Sequence, residues 1–126
     1  DAAKGQAITA NVPSPHVFDY TGRTSLKELM AAIADAQLYI SADTGPLHIA
    51  NALKKELIAL FGPTCPDRTG PYGGADSTYI HMIISPTSKA TLAQPLVDDP
   101  QCMAHITVDK LWQVYTAVRK KVESDD

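Results

Sequence analysis

The chain has 126 residues, 44% of them hydrophobic and 20% charged, with a formal net charge of −3. This composition is ordinary for one globular domain with a buried core. The acidic balance argues against a nucleic-acid-binding surface, because phosphate backbones are bound by clustered Lys and Arg. Two cysteines without a hydrophobic signal segment indicate free thiols in the cytoplasm, and no apolar run reaches the roughly 20 residues of a membrane span. The protein is therefore expected to be soluble, or to touch the inner membrane from one side only.

The amino-terminal stretch, DAAKGQAITANVP, lacks an initial Met and reads like a helix entered midway. We therefore expect the 126 residues to be a single domain taken from a longer, two-domain chain. The next stretch, VFDY at residues 17 to 20, is short and rich in residues that favour strands, so it is predicted to be the first strand.

Residues 24 to 36 carry a clear helix signal. Ser25 and Glu28 form a capping box, in which the hydroxyl and the carboxylate each accept a hydrogen bond from a backbone N–H. The apolar side chains that follow recur at the spacing of one helical face, which predicts that this face is buried. They are Leu26, Leu29, Met30 and Ile33.

Three further strands are predicted at residues 38 to 41, 57 to 61 and 79 to 84, with a helix at 46 to 55 between the first two. LIALF, the second of these strands, is apolar throughout, as expected of a parallel strand covered on both faces. Strands and helices alternating at this spacing predict an α/β fold, with a Rossmann-like parallel sheet of about four strands and helices on both faces.

The carboxyl-terminal helix is predicted to begin after Thr107, which caps it, and Asp109 suits the positive end of its dipole. An apolar stripe runs along it through Leu111, Val114, Tyr115, Val118 and Val122. The segments 62 to 77 and 85 to 100 carry most of the prolines and are predicted to be loops.

The sequence ISADTGPLH, residues 40 to 48, places several conformationally special residues where a strand turns into a helix. Pro46 fits the first helical position, which puts Gly45 at the N-cap. The backbone N–H groups of Gly45, Leu47 and His48 are then expected to be unpaired at the positive end of the helix dipole. A phosphate group binds well at such a helix entrance.

Two side chains at this corner complete the predicted site. The Thr44 hydroxyl is expected to donate a further hydrogen bond to the phosphate. Asp43 would be repelled by a phosphate, so it is expected to stand away from it and accept hydrogen bonds from the hydroxyl groups of a sugar. The alternative is that Asp43 or Thr44 only caps the helix and that no ligand binds.

A second polar loop, FGPTCPDRTGPYGG at residues 61 to 74, follows the buried strand. Arg68 is expected to pair with a phosphate through two hydrogen bonds, and Thr64 to donate one to it. The alternative is a rigid Pro/Gly surface turn without a ligand. Both loops follow strands of one parallel sheet, and ligands of open α/β sheets bind at the carboxyl ends of the strands.

Other kinds of site are less well supported by the sequence. Cys102 and His105 have a Cys-x-x-His spacing, but no second pair of ligands lies near them, so a structural zinc is not expected. Nucleophilic catalysis by Cys65 would require a partnering base, for which His48 is the candidate. The chain contains neither GxxxxGK[ST] nor GxGxxG, which argues against a P-loop or a usual dinucleotide site.

Three segments carry a family likeness: GRTSLKEL at 22 to 29, AIADAQLYISADTGPLHIA at 32 to 50, and ALFGPTCPDRTGPYG at 59 to 73. Together they resemble the carboxyl-terminal half of the bacterial lipopolysaccharide heptosyltransferases, glycosyltransferase family 9. The likeness runs from about residue 18 to residue 74, and DTGPLH followed by FGPT at this separation is its most specific feature.

The resemblance implies one half of a GT-B enzyme, in which two Rossmann-like domains face each other and the carboxyl-terminal one binds a nucleotide-sugar donor such as ADP-heptose. Residues 44 to 48 would hold the diphosphate and Asp43 the sugar. It further implies an inverting, metal-independent transfer to a lipopolysaccharide core sugar, with the catalytic base and the acceptor site in an amino-terminal domain. This chain would then bind the donor without turnover, and its exposed interdomain face is a candidate for self-association.

The sequence departs from the family at residues 53 to 56, where LKKE stands in place of a Gly-Lys-Pro-like turn. Two alternative functions stay open. One is another GT-B transferase that uses a UDP-linked hexose, and the other is a non-catalytic module that binds a nucleotide or a phosphate.

Overall fold

The computed structural model describes residues 2–64, 66–73, 76–88 and 99–124. The chain divides into two compact units, Asp1–Ala32 and Ile33–Asp126, and each is described by itself. The elements in chain order are α1 (Ala2–Asn11), α2 (Leu26–Asp35), β1 (Tyr39–Ala42), α3 (Gly45–Ala52), β2 (Leu57–Phe61), α4 (Pro66–Thr69), β3 (Ile80–Ile84), a 3₁₀ turn (Met103–His105) and α5 (Val108–Ser124).

The predicted strand at residues 17 to 20 is wrong, because these residues have no regular structure and lie between two turns. The Asp19 carboxylate accepts hydrogen bonds from both the backbone N–H of Thr21, at 2.9 Å, and its hydroxyl, at 2.5 Å. A backbone hydrogen bond of 3.0 Å from Arg23 to Tyr20 closes a second turn directly after it. Asp side chains commonly form such local bonds in competition with regular structure, and here they outweigh the strand preference of the apolar residues.

Helix α2 begins with the predicted capping box. The Ser25 N–H donates to the Glu28 carboxylate at 3.0 Å, and the Glu28 N–H donates to the Ser25 hydroxyl at 3.2 Å. Hydrogen bonding to the Glu28 carboxylate from the Ser25 backbone N–H, and then from the Ser25 side chain, lowers the pKa of Glu28. The buried face is confirmed only in part: Ile33 is 2% exposed, but Leu26 and Met30 are 65% and 41% exposed. The apolar spacing therefore located the helix, and it overstated how much of the helix is covered.

The sheet is parallel, with strand order β1–β2–β3. Tyr39 pairs with Leu57 at the start of β1, and Leu57 pairs with Ile80 at the start of β2, so the three strands begin at the same edge. The predicted parallel α/β class is confirmed. The sheet has three strands in the part of the chain that the structure describes, rather than about four.

The central strand β2 is covered on both faces. On one face Ile58 packs with Ile83 of β3 and Val118 of α5. The partly buried residues around this cluster are Leu38, Leu60, Ile106, Leu111, Val114, Tyr115 and Val122. Because side chains alternate along a strand, Leu57 and Phe61 point to the opposite face, where both are fully buried. Helix α3 contacts β1 and β2 and buries Leu47 and Ala50, which completes the two layers around the sheet.

Helix α5 matches its sequence signals closely. The Thr107 hydroxyl accepts a hydrogen bond of 3.1 Å from the Lys110 N–H, as expected of the predicted cap. Lys121, near the end of α5, joins the helix to the amino edge of the sheet, the side where all three strands begin. Its ammonium donates hydrogen bonds to both Glu56 carboxylate oxygens, at 2.9 and 3.1 Å, and to the Thr78 carbonyl, at 2.7 Å. None of the helices in the described ranges is long and apolar enough to cross a membrane.

Candidate functional site

The predicted strand-to-helix corner is present, and α3 starts one residue earlier than predicted. Thr44, not Gly45, is the N-cap, with an extended backbone (φ −137°, ψ 171°). Gly45 is the first helical residue and Pro46 the second. Proline is tolerated in either position, because the first N–H groups of a helix have no partner within it.

Fewer backbone donors are unpaired at this corner than the three that the sequence predicted. The Leu47 N–H donates to the Thr44 carbonyl at 3.1 Å, and the Leu47 side chain is fully buried. The first helical turn already uses that N–H, so the structure does not support Leu47 as a phosphate donor, and this role stays a prediction. His48 is the fourth helical residue, so its N–H faces the carbonyl of the N-cap residue Thr44 within the helix. No backbone acceptor within the described ranges serves the Gly45 N–H, so one orphan donor remains at the positive end of α3.

The side chains at the corner do not cap α3. Thr44 makes no capping hydrogen bond, and its hydroxyl lies 3.3 Å from the Ser41 hydroxyl. The Asp43 carboxylate instead accepts a hydrogen bond of 2.6 Å from the hydroxyl of Thr69. The alternative in which Asp43 or Thr44 serves only as a helix cap is therefore not what the described residues form.

Thr69 lies in the second polar loop, which is more ordered than predicted. Residues 62 to 77 were expected to be loop throughout, but α4 (Pro66–Thr69) forms within them. The Gly70 N–H donates to the Pro66 carbonyl at 2.8 Å, which closes this short helix. A Cβ atom at Gly70 would collide with that same carbonyl, so the turn requires glycine. The hydrogen bond from Thr69 to Asp43 then joins the end of α4 to the loop that follows β1.

Thr69 is a site residue to which the sequence analysis assigned no role. The loop prediction singled out Thr64 and Arg68 by their side-chain chemistry. Thr64 is half-buried in the turn after β2, and no hydrogen bond joins it to Asp43 or Thr44 in the described part of the chain. Arg68 lies on α4, but its side chain, like Cys65, falls outside the described residues. The feature that could have identified Thr69 is its position in a loop next to the corner. That position can be recognised only once the α4 turn is known.

An open cleft of about 540 Å³ lies beside the corner, and His48 lines it from α3. Its apolar floor is formed by Met82 and Ile84 near the end of β3. The rest of the wall comes from the second loop and includes Asp67 and Asp76. The volume is in the range of small-molecule sites. Because two carboxylates face the cleft, an anionic group fits better at the α3 entrance than in the cleft itself.

The Cys102–His105 pair is engaged within the fold. Cys102 is a buried free thiol and accepts a hydrogen bond of 3.6 Å from the Thr87 hydroxyl. His105 lies 3.6 Å from the Asp99 carboxylate. No group of three or more His, Cys, Asp or Glu suited to a metal ion occurs in the ranges that the structure describes. The expectation of a metal-independent protein stays a prediction.

Comparison with known proteins bears on this site. The family model described as glycosyltransferase family 9 (heptosyltransferase) matches residues 1–94, which include the whole corner and the second loop. No solved structure was found to match the chain significantly.

Several curated proteins are similar to the chain. Lipooligosaccharide heptosyltransferase 2 of Haemophilus influenzae is 44% identical over 86 residues, which cover 66% of this chain and 25% of that protein. Lipooligosaccharide heptosyltransferase 2 of Haemophilus ducreyi is 32% identical over 100 residues, covering 78% and 28%. Lipopolysaccharide heptosyltransferase 1 of Salmonella typhimurium is 42% identical over 59 residues, covering 44% and 19%.

The matches cover different shares of this chain and of its relatives. The aligned part of the chain spans 28% or less of the length of each of these relatives. The family model, by contrast, covers well over half of the chain, and all three relatives carry heptosyltransferase names. This chain belongs to glycosyltransferase family 9, the heptosyltransferase family.

Proposed function

We propose that this chain is the donor-binding part of a glycosyltransferase that moves a heptose from a nucleotide-sugar to a sugar of the lipopolysaccharide core. Membership of glycosyltransferase family 9 and the names of the relatives support this reaction class. ADP-heptose is the proposed donor. The chain itself binds the donor without turnover, and the catalytic base and acceptor site belong to an amino-terminal domain of the complete enzyme.

The observation that carries the proposal is the unused anion site at the start of α3. The Gly45 N–H has no backbone partner within the described residues, and it lies with the exposed His48 ring in the first turn at the positive end of the helix. A Cβ atom built on Gly45 would meet no protein atom within 4 Å. The fold therefore gives no steric reason for glycine, whereas a diphosphate approaching these donors does.

Asp43 supplies the second element of the proposed site. Its carboxylate is bonded to Thr69 rather than to the helix entrance, so one oxygen is engaged and the other is left to accept hydrogen bonds. A sugar attached to the second phosphate presents hydroxyl donors to such a carboxylate. The arrangement thus separates an anion-binding part from a polyol-binding part within one corner.

The proposed chemistry needs no metal from these residues. The Gly45 N–H, the Thr44 hydroxyl and the exposed His48 ring are donors suited to the charge that builds up on a departing nucleoside diphosphate. An acceptor hydroxyl attacking from the opposite face would invert the sugar carbon. We place the enzyme in the cytoplasm, peripheral to the inner membrane, where a lipid-linked acceptor is reached from one side.

Isothermal titration calorimetry with ADP-heptose, ADP and UDP tests this function. The test variant is Gly45→Val, which puts a side chain into the open space at the α3 entrance. Ala52→Val, at the exposed far end of the same helix, is the matched control for the cost of a β-branched residue. We expect Gly45→Val to weaken ADP and ADP-heptose by at least about 10-fold, since the new side chain keeps the phosphate from its charge-assisted hydrogen bonding at the helix entrance. Ala52→Val is expected to bind both like wild type.

The three ligands also separate the alternatives. Tighter binding of UDP than of ADP favours a transferase that uses a UDP-linked hexose. Equal affinities for ADP and ADP-heptose favour a nucleotide-binding module without a sugar site. Unchanged binding of every ligand by Gly45→Val means that the α3 entrance is not the site.

A further inference from the structure

The hydrogen bond between Thr69 and Asp43 joins the loops that follow two neighbouring strands, β1 and β2. The Thr69 hydroxyl donates to Asp43 Oδ2 at 2.6 Å, and the two residues are 26 positions apart in the chain. We infer that Thr69 is a positioning residue, which keeps the Asp43 carboxylate out of the anion site at the start of α3 and directs it at the donor sugar. The inference rests on the proposed function.

Asp43 stands where its side chain would otherwise compete for the helix entrance. It precedes the N-cap, Thr44, by one residue, and the unpaired Gly45 N–H is only two residues beyond it. Carboxylates of Asp readily accept hydrogen bonds from backbone N–H groups two residues on. A carboxylate turned in this direction would occupy the Gly45 donor and place a negative charge where the phosphate binds.

The bond to Thr69 prevents this rotation. A hydrogen bond to a charged group is stronger than one between neutral groups, and this one is short. Asp43 and Thr69 are both partly buried, which reduces competition from water. Thr69 is itself fixed, because Gly70 directly after it closes α4 onto the Pro66 carbonyl. The hydroxyl is therefore presented from a rigid turn rather than from a freely moving loop.

Because this turn is rigid, Thr69 can support both the sugar-binding part and the diphosphate-binding part of the proposed site. With Oδ2 engaged, Asp43 Oδ1 is the oxygen left to meet a sugar hydroxyl. The Gly45 N–H stays available for the diphosphate. Loss of the Thr69 hydroxyl should thus weaken the sugar contact and the phosphate contact together, and only while the Asp43 carboxylate is present.

A double-mutant cycle with ADP-heptose and ADP as probes tests the inference. The variants are Thr69→Val, Asp43→Ala and the two combined, with Thr69→Ser as the control that keeps the hydroxyl. We expect Thr69→Val to weaken ADP-heptose roughly 10-fold and ADP by a smaller factor, in proportion to a lost hydrogen bond to a charged group. Thr69→Ser should bind like wild type. In the Asp43→Ala background, Thr69→Val should change neither affinity.

Each other outcome has a definite meaning. Wild-type affinity in Thr69→Val overturns the inference and leaves the proposed function intact. The same holds if Thr69→Val weakens binding equally in the Asp43→Ala background, because Thr69 then acts through the loop as a whole and not through the carboxylate. If wild type binds neither ADP nor ADP-heptose, the proposed function fails first and the inference fails with it.

Discussion

Replacing Glu56 by Gln removes the charge at the centre of a cluster on the amino edge of the sheet, while the shape of the side chain is kept. One Glu56 oxygen lies 2.6 Å from His81 Nε2 in β3, and both oxygens accept hydrogen bonds from Lys121 in α5. The Lys121 ammonium also donates to the Thr78 carbonyl just before β3. This cluster therefore joins three elements that are distant in the sequence.

The expected loss of stability in Glu56→Gln follows from how exposed the Glu56 and Lys121 side chains are. The Glu56 side chain is 14% exposed and that of Lys121 is 38% exposed, so the pair is neither a free surface contact nor fully buried. Fully exposed pairs contribute about 0–1 kcal/mol, whereas breaking a buried pair costs about 3–5 kcal/mol. We expect Glu56→Gln to lower the free energy of unfolding by about 1–2 kcal/mol. For a chain of this size, that corresponds to a fall in Tm of roughly 3–10 °C.

Urea denaturation followed by circular dichroism measures this change, and Glu123→Gln is the matched control. Glu123 pairs with Arg119 on the same helix at 2.8 Å, but both side chains are about 60% exposed, at 60% and 59%. Its replacement should cost no more than about 0.5 kcal/mol. Equal unfolding free energies for the two variants would refute the view that the Glu56 cluster holds α5 to the sheet. Both variants should bind ADP like wild type under folded conditions, because neither residue belongs to the α3 corner.

Two further predictions concern the loops. The pKa of Asp99 is lowered, chiefly by the hydrogen bond from the Gln101 N–H, then by the hydrogen bond from the Thr87 hydroxyl and by the charge of His105. A lowered pKa stabilises the fold above the ordinary Asp value of about 3.9, and this contribution is lost as pH falls through the folded-state pKa. The stability difference between wild type and Asp99→Asn, measured by urea denaturation from pH 7 to pH 3, should therefore shrink below about pH 4; a constant difference would contradict it. Gly70→Ala should cost about 1–3 kcal/mol of unfolding free energy, because the new Cβ collides with backbone, whereas Gly45→Ala, in open space, should stay within about 0.5 kcal/mol of wild type.

Local signals in the sequence predicted local structure well. The capping box of Ser25 and Glu28 and the Thr107 cap both form as expected, because each depends on residues three positions apart. The prediction of a strand at residues 17 to 20 was wrong because of local hydrogen bonds as well. A single Asp19 side chain, whose local hydrogen bonds no periodic pattern reveals, turned the chain.

The candidate site was predicted in place and only partly in detail. The parallel sheet and the corner at the start of α3 follow from the alternation of strands and helices that the sequence shows. The start of α3 at Gly45 consumed the Leu47 N–H, a shift of one residue that propensity alone does not resolve. The Thr69–Asp43 bond depends on α4, and α4 depends on the close approach of Gly70 to Pro66. Such contacts between loops are set by tertiary structure rather than by local pattern.

The start of α3 as a diphosphate site is tested most directly by ¹⁵N–¹H NMR titration of the protein with ADP. We predict that the backbone amide signals of Gly45 and His48 shift most, because the Gly45 N–H is left unpaired at the helix entrance within the described residues and His48 lies in the first turn of α3. Leu38 and Arg119 line a separate cavity of about 320 Å³ and should be unaffected. Large shifts at those two residues, with Gly45 and His48 unchanged, would contradict the account.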